Sequence, residues 1–425
     1  MAASRGEGAE GAGPLAGIRV LDMSRILAAP TCTQILGDLG AEVIKVEKPG
    51  AGDDTRRWGP PFLAGRDGAP TTESAYYLSS NRNKRSVAID FTTEAGRALI
   101  GELLESCDVL VENFRTGTLA RHGLDYATLR GRFPELVYCS VTGFGQDGPY
   151  ARRAGYDYLA QAMGGIMSIT GDADGPPMKV GVGIADVTTG LYATIGILAA
   201  LRHRDATGEG QHVDAALLDT QVSWLVNEAT NYFVSGERPV RRGNAHPNIV
   251  PYRVYAASDG HVVLAVGNDA QFRRWCEIAG RPDLADDPRF ATNAARIANR
   301  DAIDAAIETA MAARPAADWL AALEAAGVPA GPVNNIDEVF DDPHVRARGM
   351  RIEMAHPQAR EGTVALVGSP LKLSATPVRY RYPPPRLGEH TREILADFAA
   401  RSPDEIARML ADGVIAAPEP GPRDG

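Results

Sequence analysis

The sequence predicts an α/β protein whose main domain is a parallel sheet covered by helices. Two buried-strand patterns, at residues 18–23 and 41–47, flank a segment with helical spacing at 30–39. Because parallel strands need a long crossover, this order indicates a βαβ unit. The alternation continues, with strands predicted at 86–91, 108–112 and 136–142 and a helix at 93–106.

The second half of the chain predicts long helices and then a smaller α+β unit. Helices are expected at 190–204, 213–234, 271–279, 300–325 and 391–398, and a hairpin at 254–266 around Ser258-Asp259-Gly260. The predicted organisation is a disordered tail (1–13), a large domain (14–213), a linker helix (214–239), a small domain (240–330), a linker returning to the large domain (331–415) and a second disordered tail (416–425).

Composition excludes several classes of protein. The formal net charge of -10 argues against a dedicated nucleic-acid binder. The first thirteen residues lack the apolar stretch of a signal peptide, and apolar runs such as 195–201 look too short to span a bilayer. The sequence therefore predicts a cytoplasmic protein without membrane contact. The cysteines and histidines show no metal-ligand spacing, so no metal is expected.

Basic residues gather near the ends of predicted strands. Lys45 and Lys48 flank one strand, Arg56 and Arg57 follow in a loop, and NRNKRS (81–86) precedes the next. Singly, such residues are usually solvated surface charges. Together, in an acidic protein, they predict a ligand with several phosphates.

Asp186 lies in VGVGIADVTTG, where an apolar helix is predicted to begin. Aspartate is a favoured helix N-cap, so a structural role is one interpretation. The other is a carboxylate nucleophile that attacks an activated acyl group. Spacing alone leaves both open.

These residues lie in a series of motifs that resembles the class III CoA-transferase (CaiB/BaiF) family over residues 14–411. The motifs are GIRVLDMSRILAAP, LGDLGAEVIKVEKPGAGDDTR, YYLSSNRNKRSVAIDF, DVLVENFRTGTL, VYCSVTGFGQDGP, GYDYLAQAMGG, GIADVTTGLYATIGILAAL, RRGNAHPNIVPY and LGEHTREIL. The resemblance implies a Rossmann-like large domain built from both chain ends, an inserted small domain and an interlocked homodimer. It implies acyl-CoA and carboxylic acid substrates and no permanently bound cofactor.

The resemblance also assigns residues. Asp186 takes the place of the family's nucleophile. The positions implied to bind CoA are Arg25, Ile26, Ala28, Lys48, Ile89, Asn113, Phe114 and Arg121. The family's lid falls on Gly243, Asn244, Ala245, His246 and Pro247. A dicarboxylic acid would need a cation for its distal carboxylate, and the candidates are Arg242, Arg56 and Arg57.

The activity implied is CoA transfer through an aspartyl anhydride and an aspartyl-CoA thioester. The motifs are most similar to those of succinate–hydroxymethylglutarate CoA-transferases, which implies succinyl-CoA as donor and a dicarboxylic or related acid as acceptor. An α-methylacyl-CoA racemase is the alternative, but it would need a histidine where this chain has Tyr156. A non-catalytic CoA-binding protein, with Asp186 only a cap, is the third interpretation.

Overall fold

The computed structural model describes residues 13–419, which form two compact units. The first comprises the described residues within Met1–Gly164, Gly181–Trp224 and His344–Gly425. The second comprises Gly165–Val180 and Leu225–Pro343. Both differ from the predicted domains, because 165–180 was assigned to the large domain and the small domain was expected to end at 330.

The first unit is built on a seven-stranded sheet. Its strands are β1 (Arg19–Asp22), β2 (Glu42–Glu47), β5 (Lys84–Ile89), β6 (Val109–Glu112), β7 (Val137–Thr142), β8 (His212–Ala216) and β14 (Ile415–Ala416). They lie in the order β14-β5-β2-β1-β6-β7-β8, and all pairings are parallel except that of β14 with β5. Small antiparallel pairs are formed by β3 (Phe62–Ala64) with β4 (Pro70–Ser74) and by β12 (Arg351–Ala355) with β13 (Thr363–Val367).

Helices cover the sheet on both faces. Those of the first unit are α1 (Ala28–Asp38), α2 (Ala75–Ser79), α3 (Glu94–Leu104), α4 (Tyr126–Leu129), α5 (Asp157–Met163), α7 (Ile184–Thr207), α8 (Leu217–Ser223), α17 (Thr391–Ala399) and α18 (Pro403–Ala411). α1 and α7 pack on one core, which contains Val20, Val111 and Val141, and α3 and α17 pack on the other, which contains Leu21 and Leu110. Successive residues of β1 thus face opposite cores, as expected for a strand buried on both sides.

The second unit contains the predicted hairpin, β9 (Tyr252–Ala256) with β10 (His261–Ala265), and β11 (Ala330–Pro332) pairs with β10. Its helices are α6 (Ile166–Ile169), α9 (Val226–Ser235), α10 (Asp269–Ile278), α11 (Pro282–Asp286), α12 (Asn293–Ala298), α13 (Arg300–Met311), α14 (Ala316–Ala325) and α15 (Ile336–Asp341). Helix α16 (Pro343–Ala347) begins where the chain leaves this unit.

Several element predictions were wrong. The helix expected at 213–234 is β8, α8 and α9, and the one at 300–325 breaks before Pro315, the N-cap of α14. Ala416, expected in a disordered tail, is paired with Ala88, and the tail expected at 1–13 lies outside the described residues except for Gly13. The hairpin β12–β13 and helix α18 were missed.

One helix within residues 13–419, α7, is long and apolar enough to cross a membrane. The expectation that the apolar runs are too short to span a bilayer was therefore wrong for this helix, which has 24 residues. Ala193, Ile197 and Ala200 of this helix are buried in the core beside α1, as is typical of a core helix.

Candidate active site

The loop after β1 has its backbone held by side chains from several other segments. Asp22 accepts from Ser24 N at 2.9 Å, and Lys45 Nζ donates to Ser24 O at 2.9 Å. Asn113 bonds Arg25 twice, accepting from its N at 3.0 Å and donating to its O at 2.6 Å.

Asp53 completes this support by accepting from Ile26 N at 3.2 Å. Ile26 has φ +76°, a left-handed conformation that a β-branched residue rarely adopts. Such strain persists only where the surroundings impose it, and here side-chain hydrogen bonds hold the backbone of Ser24, Arg25 and the Ile26 N–H. The Ser24–Ile26 loop is therefore a preformed element.

Asp186 is the third residue of α7, whose N-cap is Gly183. The aspartate is thus inside the helix, and the N-cap interpretation is wrong. Asp157 Oδ1 instead accepts from Ala185 N at 2.8 Å and from Asp186 N at 3.3 Å. Burial, and secondly the nearby Asp157 carboxylate, raise the pKa of Asp186 to about 7.

Helix α7 lies close against the start of α1. A Cβ placed on Gly190 would approach Ala28 O to 2.5 Å, so only glycine permits this crossing. Gly190 is one turn beyond Asp186, on the same side of the helix. The crossing therefore fixes Asp186 relative to the loop that leads into α1.

Two cavities adjoin this loop. One, of about 370 Å³, contains Asp186, and the other, of about 350 Å³, contains Lys48 and Ile89. Arg25, Asp54 and Phe114 line both. Of the residues implied to bind CoA, Ile26, Ala28 and Asn113 line the first cavity, whereas Arg121 is exposed and lines neither.

Most of the basic cluster is buried rather than available to a ligand. Lys45 and Lys84 are fully buried and paired with Asp53 and Asp22. Arg82 forms an ion pair with Asp38. Arg85 forms ion pairs with Glu42 and Glu393. Their interpretation as phosphate ligands is therefore wrong.

Arg56 is likewise buried and fully engaged with other protein groups. Its guanidinium is buried and donates to Glu47, Glu73, Tyr77 Oη and Pro385 O. The structure thus contradicts its assignment as the cation for a distal carboxylate. Arg57 is exposed and lines the cavity that contains Lys48, so it stays a candidate.

The segment predicted as a lid belongs to the second unit and is hydrogen-bonded within it. Gly243 N donates to Gly171 O at 3.0 Å, and His246 N donates to Tyr252 O at 3.0 Å. Arg300 Nη2 donates to His246 O and Pro247 O. Arg242 lies 3.7 Å from Glu228.

Sequence reasoning missed three residues of the site. Asp157 caps α7, Tyr76 is close enough to Asp186 for that carboxylate to contribute to its raised pKa, and Arg153 lines the Asp186 cavity. Arg115, which lines the same cavity, belongs with the strand-end cations that the sequence predicts to face a ligand with several phosphates. Nothing local in the sequence distinguishes Asp157, because its partners are 28 and 29 residues away.

For the acyl-CoA substrate that the sequence motifs imply, we expect Asn113→Ala to raise KM about tenfold and to change kcat less, because it removes two hydrogen bonds worth about 1–2 kcal/mol net in total from the Ser24–Ile26 loop. Steady-state kinetics at varied acyl-CoA concentration measure both constants. Asn299→Ala is the matched control, since Asn299 also donates to backbone carbonyls but in the second unit. An unchanged KM for Asn113→Ala would show that the loop does not depend on this amide.

A carboxylate with a raised pKa faces one cavity, and Arg25 lines both this cavity and the neighbouring one that contains Lys48 and Arg57, an arrangement that suits an α/β enzyme acting on an extended anionic substrate. Comparison with known families specifies which. The profile of CoA-transferase family III matches residues 15–391. The chain belongs to this family, and it transfers CoA between carboxylic acids.

Individual relatives agree. The chain is 52% identical to the succinate–glutarate CoA-transferase of Agrobacterium fabrum over 91% of this chain and 96% of that protein. It is 43% identical to the succinyl-CoA:glutarate CoA-transferase of Mus musculus over 95% and 90% of the two chains. The crystal structure of a CAIB/BAIF family protein from Brucella suis matches with TM-score 0.80 and 48% identity, covering 91% of this chain and 100% of that one.

Proposed function

We propose that the protein transfers CoA from succinyl-CoA to glutarate or a related dicarboxylic acid, with Asp186 as the carrier of the acyl group. The names of the relatives support this choice of substrates. The proposal includes no permanently bound cofactor.

The observation that carries the mechanism is the state of the Asp186 carboxylate. It faces the cavity and, among the described residues, accepts no hydrogen bond. Its raised pKa marks an anion that is poorly stabilised by its surroundings, which makes the ionised form a better nucleophile.

Each step of the proposed reaction exchanges one acyl bond for another. Asp186 Oδ attacks the thioester carbonyl of succinyl-CoA, and the CoA thiolate leaves to give a mixed anhydride. The thiolate then attacks the aspartyl carbonyl, releasing succinate and leaving an aspartyl-CoA thioester. The acceptor carboxylate attacks this thioester, and the released thiolate takes the acceptor's acyl group from the new anhydride, which restores the Asp186 carboxylate.

The charges around Asp186 suit anionic substrates. Arg25, Arg115 and Arg153 line its cavity, and the Arg153 guanidinium stacks over Tyr150 at 4.6 Å from the ring centroid. These cations favour the approach of a dicarboxylate and of the CoA diphosphate. We keep Arg57 and Arg242 as candidates for the distal carboxylate.

Water must be kept from an anhydride, because it hydrolyses readily. We propose that Gly243–Pro247, with Asn244, Ala245 and His246, protects the intermediates. We also propose an interlocked homodimer in the cytoplasm. The exposed apolar side chains of Tyr192, Ile195, Phe233 and Val234 are consistent with a partner surface.

The decisive experiment is an acceptor screen with succinyl-CoA, followed by product mass. We expect glutaryl-CoA to form with glutarate, and no deuterium to enter the α-carbon of a 2-methylacyl-CoA in D2O. Deuterium exchange without transfer would instead identify a racemase. Tight CoA binding without turnover on any acid would favour a non-catalytic protein.

A further inference from the structure

We propose that Asp157 is a positioning residue that occupies the N-terminus of α7, so that the Asp186 carboxylate stays free to react. This inference rests on the proposed role of Asp186 as the nucleophile. It assigns a function to a side chain that makes none of the proposed bonds to substrate.

The first backbone N–H groups of a helix lack intrahelical partners and attract carboxylates. An acidic residue at the third helical position can fold back toward the N-cap, as Glu338 does in the capping box of α15. Asp186 occupies that position in α7, and the N-cap, Gly183, has no side chain to compete with it.

Asp157 accepts from two of the free N–H groups at this helix end, those of the second and third helical residues. Its Oδ1 accepts from Ala185 N and Asp186 N, and its Oδ2 accepts from Gln161 Nε2 at 2.8 Å. Gln161 is fully buried, so it restricts the orientation of the Asp157 carboxylate. The end of the helix therefore already holds one anion, and a second carboxylate gains little by turning toward it.

The segment that carries Asp157 is itself fixed by a close backbone contact. Gly143 follows β7, and Gly155 precedes Tyr156, the N-cap of α5. A Cβ on Gly143 would lie 2.4 Å from Gly155 Cα, and one on Gly155 would lie 2.3 Å from Gly143 Cα. This crossing anchors the start of α5, and Asp157 with it, to the end of the central sheet.

Repulsion between the two carboxylates has a chemical consequence. Asp157 contributes, after burial, to the raised pKa of Asp186. Acylation removes the charge of Asp186 and with it the repulsion, so the same arrangement favours the anhydride and thioester forms over the ionised resting form.

Other ionisable groups also face Asp186. Tyr76 on α2 is one, and its pKa is raised to about 12 by burial and then by Asp186 and Asp157. Tyr156 lines the same cavity. The remaining charged residues of the cavity are Arg25, Asp54, Arg115 and Arg153. Within residues 13–419, Asp157 alone both accepts from the end of α7 and contributes to the raised pKa of Asp186.

Two substitutions separate the charge of Asp157 from its capping oxygen. Asp157→Asn keeps an acceptor for Ala185 N and Asp186 N but removes the negative charge. We expect the acidic limb of the kcat/KM profile, which lies near pH 7 for the wild type, to move down by roughly one pH unit. Asp157→Ala frees the helix end for Asp186 itself, and we expect kcat to fall roughly tenfold or more because the nucleophile is then tied up as a cap.

Folding gives a second readout that does not depend on activity. A carboxyl with a folded-state pKa near 7, against 3.8 as its ordinary value, binds a proton in the folded state that the unfolded chain has already lost. Stability should therefore fall as pH rises from about 4 to about 7 and level off above that range. The share of this dependence that comes from Asp186 should be absent from Asp186→Asn and smaller in Asp157→Asn. The share from Glu73 and Glu112, whose pKa values burial also raises to about 7, should remain in both variants.

The test is urea unfolding of the wild type, Asp157→Asn, Asp186→Asn and the double variant between pH 5 and 8.5, together with the kcat/KM profiles of the first two. The inference is supported if Asp157→Asn changes both the position of the acidic limb of the kcat/KM profile and the pH dependence of stability. If Asp157→Asn only lowers stability, uniformly with pH and with an unmoved limb, Asp157 is merely a cap and the inference fails. Transfer activity retained by Asp186→Asn would refute the proposed nucleophile, and the unfolding data would then still report whether the two carboxylates are coupled.

Discussion

Asp186→Ala is expected to lower kcat at least about a thousandfold, because it removes the carboxyl group that forms both covalent intermediates of the proposed reaction. Intact-protein mass should show an adduct when wild-type protein is mixed with succinyl-CoA alone, and none with the variant. CoA binding, measured by calorimetry, should change little, since the residues at the neighbouring cavity are untouched.

At the same position, a substitution that abolishes activity should also stabilise the fold. Asp186→Asn removes a carboxylate whose pKa is raised to about 7 by burial, so at pH 8 it should be more stable than the wild type by about 1–2 kcal/mol. Asp174→Asn, at an exposed aspartate of the second unit, is the control and should change neither property. Full activity of Asp186→Ala would remove the covalent mechanism.

Lys45→Met is expected to destabilise the protein by about 3–5 kcal/mol, since removing one partner of a buried ion pair leaves the other charge uncompensated. Lys45 is fully buried, and its Nζ lies 2.9 Å from Asp53 Oδ2. Burial acts to raise the pKa of Asp53, but the Lys45 charge lowers it to about 2, together with hydrogen bonds from the Thr55 N–H and hydroxyl. The variant also loses the bond to Ser24 O, so the Ser24–Ile26 loop should bind CoA less tightly.

Lys48 provides a matched control for Lys45. It is exposed and three residues further along, so Lys48→Met should alter stability by less than about 0.5 kcal/mol while weakening CoA binding. Adding Asp53→Asn to Lys45→Met should restore part of the lost stability, because it removes the orphaned charge. Urea unfolding at pH 7 measures all three. Equal stability of the two lysine variants would show that the buried pair contributes nothing.

The alternating strands and helices of the first unit were predictable because buried apolar runs are a local property. The prediction of a helix at 213–234 was wrong because the apolar spacing of HVDAALL continues without a break into α8. What makes His212–Ala216 a strand is its pairing with β7. Strand identity there depends on a partner about seventy residues away.

The candidate site was predictable in part for a similar reason. The family motifs named Asp186 and several loop residues that the structure brings to one pair of cavities. Charge counting could not separate ligand-binding cations from buried ones, because the acids that neutralise Lys84 and Arg82 lie 62 and 44 residues earlier, at Asp22 and Asp38. Asp157 was missed because its hydrogen bonds to Ala185 N and Asp186 N depend on where α7 begins, which the sequence around Asp157 does not show.

The helix crossing at Gly190 has a consequence for substrate range. Since α1 and α7 meet there without a side chain between them, backbone contact sets the distance from the Asp186 carboxylate, the proposed nucleophile, to the Ser24–Ile26 loop. Acids of different chain length must then present their reacting carbon at one constant place. Any tolerance for longer or shorter substrates has to come from the far side of the cavity, so evolution can change the acid that is accepted while leaving the chemical step untouched.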